Sequence, residues 1–231
     1  MFNKSEFLVI SAHPDDSEFG AAGSVAKWTQ EGKRVVYVIC TSGDKGTDNP
    51  DILPQQLGKI REKEQKNAAA VLGVSDVVFL GYPDQGLEDT SDFRKAIVKQ
   101  IRIFRPDTIV TSDPYRRYIW HRDHRITGQV VLDAVYPYAR DLLAYPDLIE
   151  DGFMPHKVKK ILFFGAEDVN LQIDITETFD LKLEALRCHK SQIDQMGIPD
   201  LEKWLWERCR KMAEGTGFKV AEVFHQVEAP H

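Results

Sequence analysis

The chain has 231 residues, of which 42% are apolar, 10% aromatic and 29% charged, the make-up of an ordinary globular protein long enough for one large core. A formal net charge of −6 weighs against nucleic acid as the main partner, because neutralising phosphates takes clustered lysine and arginine. No apolar run approaches the roughly 18–20 residues that cross a bilayer, and Met1 to Glu6 lacks the basic and long apolar regions of a secretory leader. Three cysteines without paired spacing (Cys40, Cys188, Cys209) fit reduced thiols, so a cytoplasmic protein is expected.

In chain order, Phe7 to Ile10 is a short apolar run of buried-strand type. Ser17 to Gln30 reads as a helix, with Ser17 as its N-cap and Gly32 as its stop. Val35 to Cys40 is a second, fully apolar strand, followed by a polar loop from Thr41 to Asp51. Leu53 to Leu72 is helical and closes at Gly73. Asp76 to Leu80 is the third strand, Thr90 to Phe104 a helix stopped before Pro106, and Thr108 to Val110 the fourth strand. Such strands, separated by helices, predict a Rossmann-like, doubly wound, mostly parallel α/β sheet with helices on both faces.

The second half is less regular. Ile126 to Val135 reads as a helix ending near Pro137, and residues 139–157 as a long connection placed as a lid over the site. Strands are expected at Val158 to Phe164, Leu171 to Ile175 and Phe218 to Val227, and helices at Thr176 to His189 and Leu201 to Ala213. Neither repeats nor linkers divide the chain, so residues 1–231 read as a single domain.

Ligands of doubly wound sheets sit beyond the carboxyl ends of the strands. Two such segments carry chemistry. The first is Ser11-Ala12-His13-Pro14-Asp15-Asp16-Ser17-Glu18. An imidazole and two carboxylates crowd into four residues, and zinc takes nitrogen and oxygen ligands, three of them from protein in a catalytic site. His13 and Asp16 can point at one ion, while Asp15 projects elsewhere, where a general base for the bound water belongs. A helix N-cap would account for Asp16 or Ser17 alone, but not for the cluster. The second segment is His121-Arg122-Asp123-His124. One of its histidines completes a three-ligand site and the other is left to act on substrate. Asp123 between them can hold an imidazole by a hydrogen bond.

These segments resemble the LmbE-like/PIG-L family of zinc-dependent N-acetylglucosaminyl deacetylases. The family pattern has Ala-His-Pro-Asp-Asp, found here at residues 12–16, and a later His-x-Asp-His, found at 121–124. Arg61 with Glu64, Gly81-Tyr82-Pro83-Asp84 with Gly86-Leu87, and His189-Lys190-Ser191-Gln192 are similar to further family marks, in the same order. The resemblance implies His13, Asp16 and His124 as zinc ligands, with Asp15 as general base. It implies His121 as the group that stabilises the oxyanion or protonates the amine, and Asp123 as the carboxylate that orients that histidine. Arg61, Asp84 and His189 are implied near the substrate. The implied substrate is a small N-acetylated amino sugar or its conjugate, and a homo-oligomer is compatible with it.

Arg122 stands where the family often has proline, and with Arg116 and Arg117 it raises the expectation of an anionic substrate. A set of two histidines and one carboxylate also suits iron(II). The competing readings are an amidase acting on a larger thiol-sugar conjugate and a non-catalytic Rossmann-like nucleotide- or sugar-binding protein. Against a nucleotide module, no G-x-G-x-x-G follows the first strand. Trp204 and Trp206 are read as packing on the protein's own core rather than across an interface.

Overall fold

The computed structural model describes residues 4–118 and 121–230, so residues 1–3, 119–120 and 231 lie outside the described residues. Among the described residues, seven strands form one sheet: β1 (Phe7–Ser11), β2 (Val35–Thr41), β3 (Asp76–Tyr82), β4 (Thr108–Ser112), β5 (Lys160–Phe164), β6 (Leu171–Asp174) and β7 (Ala221–Glu228). Their order is β3-β2-β1-β4-β5-β7-β6. The first five pair in parallel, and β7 runs antiparallel to both β5 and β6. The helices are α1 (Asp16–Gln30), α2 (Pro54–Val71), α3 (Ser91–Phe104), α4 (Arg122–Asp133), α5 (Pro146–Glu150), α6 (Phe179–Arg187), α7 (Lys190–Ile193) and α8 (Leu201–Met212).

The central strands are apolar throughout because both faces are covered. Leu8, Ile10, Val36 and Val38 pack with Ile97, Ile101, Val130 and Val131 of α3 and α4. The alternate residues Val9, Tyr37 and Ile39 pack with Ala21 and Val25 of α1, Ala68 of α2 and Leu72 at the end of α2. Each such aliphatic side chain contributes about 1.5–3 kcal/mol on burial. After β1 the chain winds outward through β2 and β3, then returns to place β4 on the other side of β1. The switch point therefore lies between β1 and β4, where a crevice opens at the carboxyl ends.

Several boundaries differ from expectation. Helix α1 starts at Asp16, and Ser17 is an interior residue whose hydroxyl bonds that of Ser11 at 2.6 Å, so it is not the cap. Helix α4 starts at Arg122, four residues early, because the His121 ring accepts the N–H of Asp123 and caps it. Strands β5 and β7 start later than read, at Lys160 and Ala221. Residues 139–157 are anchored rather than free as a lid. Buried Arg102 of α3 donates to the carbonyls of Tyr138, Ala139, Asp141 and Ala144, and Leu148 enters the core. Trp204 packs on Phe19 and Trp206 on Phe179, as own-core packing requires, although Trp206 keeps 37% of its surface exposed.

Candidate active site

The loop after β1 turns into α1 through Asp15, whose φ of 88° lies in the left-handed region. Aspartate tolerates this better than most residues, and non-glycine residues so placed gather at functional sites. The turn sends the two adjacent carboxylates different ways. Asp16 turns inward, and its Oδ2 accepts the backbone N–H of His13 at 2.9 Å. Asp15 meets the Arg61 guanidinium at 3.2 Å, and its own N–H donates to Gln65.

Asp16, His13 and His124 converge. His13 Nδ1 lies 3.1 Å from His124 Nε2, His124 Nε2 lies 3.0 Å from Asp16 Oδ1, and His13 Nδ1 lies 3.5 Å from Asp16 Oδ2. Four-coordinate zinc, with bonds of about 2.0–2.2 Å, sets its ligand atoms roughly 3.3–3.6 Å apart. The three donors are thus spaced like ligands of one small divalent ion. His121 joins the same cluster, with its ring edge-on to His13 at 4.5 Å and tilted over His124 at 5.1 Å. Its Nδ1 accepts the N–H of Asp123 at 3.2 Å, so a neutral His121 carries its proton on Nε2.

Charge supports the same reading. Four aspartates (15, 16, 84 and 123) surround two imidazoles and the Arg61 guanidinium. Burial alone would lower His13, yet hydrogen bonds to Asp123, Asp16 and Asp84 hold it well above the ordinary imidazole value. His124 is likewise raised by Asp16 against its burial. Burial would raise Asp16, but His124 and His13 hold it well below the usual carboxylate range. Asp84 is drawn down to about 2, mainly by His13 overcoming burial. Four carboxylates thus face two imidazoles and one guanidinium, an acid-rich set of the kind that suits a divalent cation. Asp15 goes the other way: burial pushes it up to about 6 despite Arg61. His121 is lowered by burial and by the neighbouring His13 and His124, which favours the neutral ring.

Several of the residues named by resemblance have protein partners of their own. Arg61 is buried and donates to the carbonyls of Gly43 and Pro14 as well as to Asp15, so its guanidinium is committed to the protein. Asp84 is buried behind His13, 3.1 Å from its Nε2. The Asp123 carboxylate also faces His13 Nε2, at 3.4 Å, and only its backbone N–H meets His121. His189 is fully buried and bonds Glu18 at 3.1 Å. All four have protein partners, and Arg61 Nε and His189 Nδ1 are buried without a hydrogen-bond partner among the described residues. Arg122 is likewise tied down, by the Leu87 carbonyl and, at 3.8 Å, by Glu88.

The sequence places the loop after β2 at this end of the sheet and marks Gln192 by resemblance, but it does not single out the wall of the cavity beside Asp15. This space of about 360 Å³ is lined by Lys45, Thr47 and Asp48 from the loop after β2 and by Gln192, Gln195 and Met196 from α7 and the turn after it. Two cross-links join the walls: Gln192 to the Gly46 carbonyl and the Asp48 N–H to Gln195. The available signal was the glycine pair, since a Cβ at Gly43 or Gly46 would collide with the Arg61 guanidinium.

Topology and site together define an α/β protein with an acid–imidazole centre at its switch point. The family model of PIG-L, GlcNAc-PI de-N-acetylase, matches residues 8–135. The diacetylchitobiose deacetylase of Thermococcus kodakarensis is 34% identical over 201 residues, 87% of this chain and 73% of that protein. A probable N-acetyl-alpha-D-glucosaminyl L-malate deacetylase 2 of Bacillus anthracis is 30% identical over 203 residues, covering 83% of each chain. Among solved structures, the N,N'-diacetylchitobiose deacetylase of Pyrococcus horikoshii superposes with a TM-score of 0.89 at 30% identity, covering 96% of this chain and 84% of that one. The chain belongs to the PIG-L (LmbE-like) family of deacetylases.

Proposed function

We propose that this chain is a zinc-dependent hydrolase that removes the acetyl group from an N-acetylglucosamine-type sugar or sugar conjugate, acting as one domain. The observation that carries this reading is the convergence of His13, His124 and Asp16 at 3.0–3.5 Å with Asp15 buried beside them. Relatives named as deacetylases of acetylated sugars supply the substrate class. His13, Asp16 and His124 would hold the ion, which when bound supplies Lewis acidity and a water acidic enough to lose its proton near neutral pH.

Asp15 takes that proton. Its carboxylate stands beside the trio, and Arg61 keeps it aimed at 3.2 Å. The water oxygen attacks the amide carbonyl, and the C–N bond breaks to give acetate and the amine. His121, neutral and carrying its proton on Nε2, donates a hydrogen bond to the developing oxyanion. Its lowered pKa leaves Asp15 as the group that returns the proton to the amine nitrogen. The cavity lined by Thr47, Asp48, Gln192 and Gln195 offers hydroxyl, carboxylate and carboxamide groups suited to sugar hydroxyls. A cytoplasmic setting is supported by the three free cysteines.

Metal content and acetate release from a panel of N-acetylated sugars test this reading. Asp15→Asn and His121→Ala should both keep zinc. His121→Ala should lose about 10²–10³-fold in kcat, the usual effect of one oxyanion donor, and Asp15→Asn at least as much. Loss of zinc in Asp15→Asn, or near-normal turnover in either variant, would refute the assignment.

A further inference from the structure

The two nitrogens of His13 have opposite surroundings. Nδ1 faces His124 and Asp16. Nε2 faces two carboxylates at once, Asp84 Oδ1 at 3.1 Å and Asp123 Oδ2 at 3.4 Å, and all three residues are buried. Neither carboxylate is free to turn away. Asp84 accepts the N–H of Lys45 through its other oxygen at 3.0 Å. Asp123 accepts the N–H groups of Gln85 at 2.7 Å and Leu87 at 3.3 Å. The loops after β1, β2 and β3 and the first turn of α4 are thus tied together around one ring.

An uncharged imidazole offers a lone pair on one nitrogen only when its proton sits on the other. Two anionic oxygens beside Nε2 fix the proton there and turn the Nδ1 lone pair toward Asp16 and His124. Carboxylate partners of this kind also raise the basicity of the ligating nitrogen. We propose that Asp84 and Asp123 are paired positioning residues that share the Nε2–H of His13, hold its tautomer and ring plane, and thereby set the affinity of the site for its metal. This rests on the reading of His13 as a ligand and gives both aspartates a role different from substrate contact or support of His121.

The test measures zinc stoichiometry and affinity by competition with a chromophoric chelator, together with the visible spectrum of the cobalt(II)-loaded protein. The variants are Asp84→Asn, Asp123→Asn, the double variant and Asp84→Glu, with His124→Ala as the ligand control. The parent should bind one zinc. Each Asn variant should bind it 10–100-fold more weakly, and the double variant more weakly than either. The cobalt bands should keep their positions, because the ligand set is unchanged. Asp84→Glu, which keeps a carboxylate, should recover part of the affinity, a rescue that general damage to the fold would not give.

Asn variants that bind zinc like the parent, while His124→Ala loses it, would overturn this assignment alone. So would shifted cobalt bands, which would make an aspartate a ligand. So would two zinc ions in the parent with one lost in Asp84→Asn, since His13, Asp84 and Asp123 lie close enough for a second ion. A parent that binds no zinc would overturn the metal reading and this inference together.

Discussion

As the proposed general base, Asp15 is the residue on which the chemistry would turn. Its backbone is left-handed, its carboxyl is buried, and its pKa is pushed up to about 6. A base must be ionised, so kcat/KM should fall as pH drops through its pKa. A cation at the neighbouring trio pulls that value down, which places the acid limb at or below about pH 6 in the metal-loaded enzyme; a pH–rate profile locates it. The same shift has a stability consequence in the metal-free protein. A carboxyl with a folded pKa of about 6, above its unfolded value, loses stability as pH rises between the two. Metal-free Asp15→Asn should therefore melt higher than the metal-free parent at pH 8, and the gap should close toward pH 4. Equal melting temperatures at pH 8 would contradict it.

Helix α1 carries Asp16 and Glu18 into the site, and its far side is held by a buried ion pair. Lys182 of α6 meets Glu222 of β7 at 2.6 Å, and both are almost fully buried. Lys182 also donates to the carbonyls of Glu18 and Phe19, while Glu222 accepts the N–H groups of Gly23 and Ser24. Gly23 lets the helix come close to Ile175, where a Cβ would stand 2.8 Å from that side chain. Removing one partner of a buried pair leaves an uncompensated charge. Lys182→Met should cost about 3–5 kcal/mol, read as a lower midpoint in urea unfolding. This contact was not legible in the sequence, because Lys182 sits in an amphipathic stretch where solvent exposure is the usual reading for lysine. Similarly, the stretch 139–157 shows turn residues but not the carbonyls that fold back on Arg102.

For the molecule as a whole, the fold and the proposed metal site are separable. The two core layers flank the sheet, and the trio sits at its edge on loops and first turns. Removing metal with a chelator should leave the circular-dichroism spectrum of a folded protein. It should also lower stability by about 2.7–4.1 kcal/mol relative to zinc at 100–1,000 times its Kd, seen as a reversible fall in Tm. A chain that unfolds without metal would show that the trio is part of the core.

By itself the sequence determined the fold class and the address of the site. Strands apolar at every position, such as Val35 to Ile39, can only be buried on both faces, and that requires a parallel sheet with two helical layers. His13, Asp15 and Asp16 stand just past β1, while His121, Asp123 and His124 lie on the connection from β4 into α4, and the strand order brings both together. Only the tertiary structure decided what each side chain faces. Asp123 and His13 are 110 positions apart, yet they share a contact where the resemblance implies one between Asp123 and His121. Resemblance implies Arg61, Asp84 and His189 near the substrate, and the fold gives them carbonyl, imidazole and glutamate partners from distant loops. The physical reason is that residue type and spacing fix which chemistry a loop can supply, while the direction of a buried polar group is set by whichever partner satisfies it. That partner comes from a distant part of the chain.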